Sequence, residues 1–205
     1  MEIACLDLEG VLIPEIWIAF AEKTGIEALK ATTRDIPDYD ELMTMRLSEL
    51  AKHGLGLSAI QQVIATLSPL DGAAEFLNWL RKHFQVVILS DTFYEFAGPL
   101  MAQLGYPTLL CHHLTMDPSG KVTQYNLRQG NPKRQAICAF KTLYYRTIAA
   151  GDSYNDTTML EEADAGILFA APPNVIEAFP QFPAVHTYRD LQMAFVKASN
   201  REITL

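Results

Sequence analysis

The 205-residue chain has room for one large domain, or for one domain with a smaller insertion, and its 49% hydrophobic and 20% charged residues exclude a disordered, collagen-like or low-complexity protein. A formal net charge of −8 repels a phosphate backbone, so nucleic acid is not expected as a partner. Three scattered cysteines, Cys5, Cys111 and Cys138, make no disulfide framework and point to a reducing, cytoplasmic setting. An N-terminus with Glu2 and Asp7 is not expected to serve as an export signal, and no apolar run reaches the roughly 20 residues that span a bilayer.

In chain order, Ile3 to Leu8 is a short apolar run that suits a buried strand, with Asp7 and Glu9 emerging at its C-terminal end. From Pro14 to about Leu67 the pattern is helical: Tyr39, Leu42, Met43, Leu47 and Leu50 recur at helical spacing, and Ser58 reads as the N-cap of a further helix. This stretch is expected to be an all-helical insertion, a candidate lid. A capped helix from Asp71-Gly72 precedes the buried strand Gln85 to Ser90, and Phe93 to Leu104 is helical. Thr108 to Leu114 and Val122 to Leu127 read as strands around the turn-forming Asp117-Pro-Ser-Gly120. Pro132 opens a helix, Arg146 to Ala150 is another buried strand, and Gly151-Asp-Ser-Tyr-Asn-Asp156 leads into a helix through Ala163. Ala165 to Phe169 and Ala184 to Thr187 read as short edge strands before a last helix from Arg189.

Strands alternating with helices predict an α/β fold with a doubly wound, mainly parallel sheet, whose ligands bind outside the carboxyl ends of the strands. The expected division is a core of residues 1–13 and 70–205 and a helical cap of residues 14–69.

An Asp-x-Glu pair after a strand is by itself an ordinary solvated turn. Here Asp7 and Glu9 follow one strand, Ser90, Asp91 and Thr92 a second, and Asp152 and Asp156 a later one, so all converge on one rim of a parallel sheet, with Lys133 on the helix before the last. Phosphoryl transfer uses such groups in definable ways. A carboxylate, Asp7, attacks phosphorus and forms an aspartyl phosphate. A hard cation such as Mg²⁺, held by oxygens from Asp7 and Asp152, with Asp156 either facing the same ion or orienting Lys133 from its outer shell, relieves the crowded negative charge. Lys133 neutralises the phosphoryl oxygens, Ser90 orients them, and Glu9 shuttles the proton of the leaving and accepting alcohols.

Asp7-x-Glu9-Gly-Val, the strand-end Ser90, Lys133 and Gly151-Asp-Ser-Tyr-Asn-Asp156 together resemble the four motifs of the haloacid dehalogenase superfamily of phosphatases. The helical insertion after the first motif resembles the small cap of its phosphoserine phosphatase branch. That resemblance implies a HAD-like, Rossmannoid core, Mg²⁺ bound through the first and last motifs (Asp7, Glu9, Asp152 and Asp156), and phosphate contacts from Ser90 and Lys133, with Asn155 assisting the phosphate or metal network; Asp91 is a candidate substrate contact whose role stays open. It also implies a substrate clamp in which Glu15 takes the ammonium and Arg46 the carboxylate.

Two departures stand out: Glu9 occupies a position that is normally Asp, and Asp91-Thr92 replaces the usual Gly-Gly. The longer acid is similar to phosphoserine phosphatases that also transfer phosphate to homoserine, so phosphoserine and homoserine are the expected small-molecule substrates, in an enzyme of amino-acid biosynthesis. A homodimer is compatible with this reading. The alternatives are a phosphatase of the same family acting on a nucleotide or sugar phosphate and, from another class, a phosphoacceptor signalling domain, which would lack the helical insertion.

Other features have plainer readings. Gly54-Leu-Gly-Leu-Ser-Ala59 formally matches a dinucleotide fingerprint but follows a helix, so Gly54 is a helix terminator. Cys111-His112-His113 is expected to be structural rather than a metal site, because neighbours on a strand face opposite ways. Trp17, Phe20 and Trp79 read most simply as packing residues, with closure over substrate the alternative for Trp17 and Phe20 on the first cap helix.

Overall fold

A computed structural model describes residues 1–32, 35–36 and 38–203. Its sheet has the order β4-β3-β2-β1-β5-β6-β7, from β1 (Glu2–Leu6), β2 (Gln85–Phe93), β3 (Thr108–Met116), β4 (Val122–Asn126), β5 (Arg146–Gly151), β6 (Ala165–Phe169) and β7 (Ala184–Val185). All pairings are parallel except β3 with β4. The chain leaves β1 toward β2 on one side and later returns to pair β5 on the other, which makes the C-terminal end of β1 the switch point where ligands of such sheets bind.

The sequence dictates this sheet because its central strands are apolar on both faces. Ala4, Leu6, Ile88, Ile148 and Ile167 pack into one cluster, while Ile3, Cys5, Val87, Leu89, Ala149 and Leu168 pack into the other. Alternate residues of one strand therefore feed two cores, each covered by helices. Phe76 and Leu77 of α4 (Ala73–His83), Phe96 of α5 (Tyr94–Gln103) and Phe195 of α9 (Tyr188–Ala198) cover the first. Ile137 of α6 (Pro132–Thr142), Met159 of α7 (Thr157–Glu162) and Val175 of α8 (Pro173–Ala178) cover the second. Pro132 stands at the start of α6, where its missing N–H costs nothing.

Between β1 and α4 lie α1 (Ile16–Thr24), a 3₁₀ turn (Glu27–Lys30), α2 (Tyr39–Lys52) and α3 (Leu57–Ile64). The excursion closes where Leu70 N–H bonds to the Leu12 carbonyl at 3.0 Å. Trp17, Phe20, Met43, Leu50, Ile60 and Ile64 of these helices join the first core, so the insertion is welded to the sheet by apolar contact. Its far side leans on the β3–β4 hairpin: Leu57 N–H bonds to the Gly120 carbonyl, and the Tyr125 hydroxyl bonds to Asp40.

Local details differ from the sequence reading: the helix expected to be capped at Asp71-Gly72 has Gly72 at its N-cap and no side-chain cap. Gly56, not Ser58, is the N-cap of α3, and Ser58 lies inside its first turn. Strand β6 lies inside the sheet, between β5 and β7, because the two-residue β7 forms the true edge. Strand β2 runs past Ser90 to Phe93, with a register shift against β3 between Leu89 and Phe93. Gly54 ends α2 with a φ of +65°, as its terminator role requires. No helix among the described residues is long and apolar enough to cross a membrane.

Candidate active site

Strand ends bring the sequence-predicted groups together. Asp7 lies just beyond β1, its N–H bonded to the Ala150 carbonyl of β5 at 2.9 Å, so the strand pairing itself fixes where the carboxylate emerges. Lys133, in the first turn of α6, reaches between two acids: its Nζ donates to Asp7 Oδ1 at 2.8 Å and Asp156 Oδ1 at 2.7 Å, and Asp91 Oδ2 lies 3.3 Å away. Asp7, Lys133 and Asp156 are buried. Burial alone would lower the lysine's pKa, but Asp156, Asp7 and Asp91 hold it well above the ordinary value.

Asp156 is wholly enclosed, and its Oδ2 accepts from the Asp152 N–H at 3.0 Å, the Ser153 N–H at 3.1 Å and the Ser153 hydroxyl. Gly151 makes that approach possible, since a Cβ there would lie 2.5 Å from the Cβ of Asp156. Gly10 does the same for Asp152: with a φ of +79°, it leaves a space in which a Cβ would meet Asp152 Oδ2 at 2.5 Å.

Asp7, Asp152 and Asp156 each offer a carboxylate oxygen within 4.8 Å of the others. Burial, then Asp156 and Glu15, push the Asp152 carboxyl up to about 7, and burial, then Asp156, raises Asp7 against the opposing pull of Lys133. One lysine does not balance two buried carboxylates and the half-buried Asp152 beside them. The donors are all hard oxygens, the charge excess is negative, and the Gly10 cradle keeps the Asp152 oxygens clear of backbone; these residues fit a hard divalent cation.

Glu9 lies outside that trio. Its Oε2 accepts the Ile16 N–H at 2.8 Å at the start of α1, and burial, then Glu15, pushes its carboxyl up to about 7. That value suits a group that gives and takes a proton near neutral pH.

Asp7, Glu9, Ser90, Asp91, Lys133 and Asn155 line one cavity of about 560 Å³, and Glu15, Arg46, Trp17 and Tyr39 of the insertion line its other wall. The size is ordinary for a small-molecule site. Ser90 is buried, its Oγ accepting the Thr92 N–H at 3.2 Å. Arg46 is 7% exposed, stacks over Trp17 at 4.6 Å from the ring centroid, and gives Nη2 to the Ala31 carbonyl at 2.9 Å. Its buried Nε has no hydrogen-bond partner among the described residues. A buried guanidinium with an unsatisfied N–H asks for an anion. Glu15, at the N-cap of α1, is exposed on the same cavity.

Residues 1–164 match the haloacid dehalogenase-like hydrolase family. The chain belongs to that family. It is 73% identical to the phosphoserine phosphatase ThrH of Pseudomonas aeruginosa over the full length of both, and 72% identical to a phosphoserine phosphatase of Pseudomonas syringae pv. tomato, over all of this chain and 86% of that one. The fold is also that of a solved phospho-aspartyl intermediate analogue of phosphoserine phosphatase, with a TM-score of 0.76 at 20% identity over 94% of this chain and 97% of the other.

The sequence reading gave His112 a structural role and no place in the site. It is 2% exposed and reaches the cavity wall, with Nε2 3.6 Å from Asp91 Oδ1. Its neighbours behave as strand alternation predicts in part only, Cys111 being buried and His113 exposed. The signal was the pairing of Phe93 with His112 across β2 and β3, a register that the sequence does not print.

Proposed function

We propose that the chain is a phosphoserine phosphatase that works through an aspartyl phosphate on Asp7 and passes the phosphoryl group either to water or to homoserine. The observation that carries this is a single cavity with Asp7 and Lys133 on the sheet wall and the unsatisfied Arg46 beside Glu15 on the insertion wall. The two near-full-length relatives with phosphoserine in their names support the same substrate. A nucleotide or sugar phosphate has no carboxylate for Arg46 and no ammonium for Glu15, so the clamp favours an amino acid. Residues 14–69 serve as the cap that carries this clamp, and residues 1–13 and 70–205 as the core that carries the chemistry.

In the first step, an Asp7 oxygen attacks phosphorus, the bond from phosphorus to the serine oxygen breaks, and Glu9 in its protonated form gives its proton to the departing alkoxide. Lys133 and the Ser90 hydroxyl hold the phosphoryl oxygens as charge moves onto them. In the second step, Glu9, now ionised, takes the proton of water or of the homoserine hydroxyl, whose oxygen attacks phosphorus and restores the Asp7 carboxylate. Homoserine has the ammonium and carboxylate of serine with one further methylene, so Glu15 and Arg46 hold donor and acceptor alike. Mg²⁺, held by Asp7 and Asp152 with Asp156 beside them, would supply the positive charge that lets a phosphate dianion approach these acids. Asp156, already taking N–H and O–H donors on Oδ2, serves chiefly to anchor Lys133.

Phosphoserine incubated with enzyme and Mg²⁺, with and without homoserine and followed by ³¹P NMR, tests the reading. Inorganic phosphate alone, joined by phosphohomoserine when the acceptor is present, is expected. No phosphohomoserine would remove the transfer reaction, and faster turnover of sugar phosphates than of phosphoserine would remove the substrate.

A further inference from the structure

Asp91, at the cavity wall, has a part to play that depends on the phosphoryl-transfer reading above. An ammonium has three N–H donors. Lys133 gives two of them to Asp7 and Asp156 at 2.8 and 2.7 Å, and its next nearest anion is Asp91 Oδ2 at 3.3 Å, the loosest of the three. Asp156 is locked in place by its further bonds to Asp152 and Ser153, and Asp7 is the nucleophile. Asp91 alone has somewhere else to go. Its side chain is 31% exposed to the cavity, Oδ2 also accepts from Asn155 Nδ2 at 2.9 Å, and Oδ1 faces His112 Nε2 at 3.6 Å.

The state of His112 follows from its other nitrogen. Nδ1 accepts the Arg128 backbone N–H at 3.0 Å, so the ring proton sits on Nε2 and is aimed at Asp91. With Nδ1 accepting from the backbone and Nε2 carrying the ring proton, His112 has no free lone pair to act as a base toward substrate. Its Nε2–H is a donor aimed at Asp91, still 3.6 Å from the carboxylate.

A phosphoryl group that docks against Ser90 must draw a donor from Lys133, and the donor held least tightly is the one facing Asp91. We propose that Asp91 is a resident anion that occupies the third N–H of Lys133 until a phosphoryl oxygen displaces it, and that His112 receives the displaced carboxylate. Asp91 and His112 are thus positioning residues that set the affinity of the site for phosphate. Without His112, the displaced carboxylate would face a phosphate dianion with only Asn155 to hold it, and the two negative charges would repel at close range.

Binding of inorganic phosphate to the Mg²⁺-loaded protein, measured by calorimetry, reads this directly and does not depend on turnover of phosphoserine. Asp91→Asn is expected to tighten phosphate binding by about fivefold, since the competing anion is gone. His112→Leu is expected to weaken it by about tenfold, while His112→Gln, which keeps an N–H donor, stays within about twofold of the parent. In the Asp91→Asn background, His112→Leu should have no further effect, because no charge is left to receive. Weaker phosphate binding in Asp91→Asn would overturn the proposal, as would an equal loss from His112→Leu in both backgrounds, the result of a merely structural histidine. If His112→Leu does not fold, the sign of the Asp91→Asn effect still decides. Failure of the parent to hydrolyse phosphoserine would count against the proposed function and not against this exchange, which the phosphate titrations judge separately.

Discussion

Asp152→Asn should make the metal-free protein more stable while removing its response to Mg²⁺. The Asp152 carboxyl is raised from 3.8 to about 7 in the folded chain, by burial first and then by Asp156 and Glu15. A carboxyl raised on folding holds its proton more tightly in the native state. Below pH 3.8 it is protonated in both states and has no effect; as pH rises from there to about 7 it progressively destabilises the fold, and above pH 7 the penalty is complete. At about 1.4 kcal/mol per pH unit the span corresponds to about 4 kcal/mol, which partial solvent access to this half-buried side chain reduces to about 2 kcal/mol. For a chain of this length that is a rise in Tm of about 4–8 °C. Calorimetric scans in EDTA at pH 8 should show this rise in Asp152→Asn, the difference should shrink at pH 4, and added Mg²⁺ should stabilise the parent but not the variant. A lower metal-free Tm for Asp152→Asn at pH 8, or a gain that is the same at both pH values, would refute the idea that uncompensated negative charge is stored at this site.

Other consequences are open to assay. Arg46→Ala should raise KM for phosphoserine by about 10–100-fold, the worth of a charged hydrogen bond in a buried setting, and should leave phosphoethanolamine, which has no carboxylate, nearly unaffected. Glu9→Gln should lower kcat by about 10²–10⁴-fold. Because the Glu9 carboxyl is raised to about 7, a limb of the parent's pH–rate profile near neutrality should be lost in that variant. Tyr125→Phe, which removes the hydroxyl bonded to Asp40, should loosen the hold of the hairpin on α2 and shift product from phosphohomoserine toward inorganic phosphate, as read by ³¹P NMR.

The sheet and the site's principal groups were legible because strong local chemistry marks them. Runs such as Val-Val-Ile-Leu before Ser90 and Thr-Ile-Ala-Ala before Gly151 have one physical use, a strand covered on both faces, and their ends carry the acids. Parallel pairing then places Asp7, Ser90 and Asp152 on one rim without further information. What the sequence did not reveal depends on register and on side-chain direction. Ser58 looked like a cap because its hydroxyl suits that position, but Gly56, packed so close to Gly120 that a Cβ would sit 2.9 Å from its carbonyl oxygen, is where the chain turns. Glu9 shares a motif with Asp7, yet its longer side chain is drawn to the Ile16 N–H, away from the acid trio. His112 could be placed beside Asp91 only once the shift between β2 and β3 was known.

The central claim is that the phosphoryl group rests covalently on Asp7. Enzyme mixed with ³²P-labelled phosphoserine and Mg²⁺, quenched in acid within milliseconds and digested, should carry label on the peptide that contains Asp7, and hydroxylamine, which attacks the acyl carbon of an aspartyl phosphate, should leave a hydroxamate there and release the label as inorganic phosphate. Asp7→Asn should show neither label nor turnover. Turnover with no labelled peptide, or activity that survives Asp7→Asn, would contradict the account.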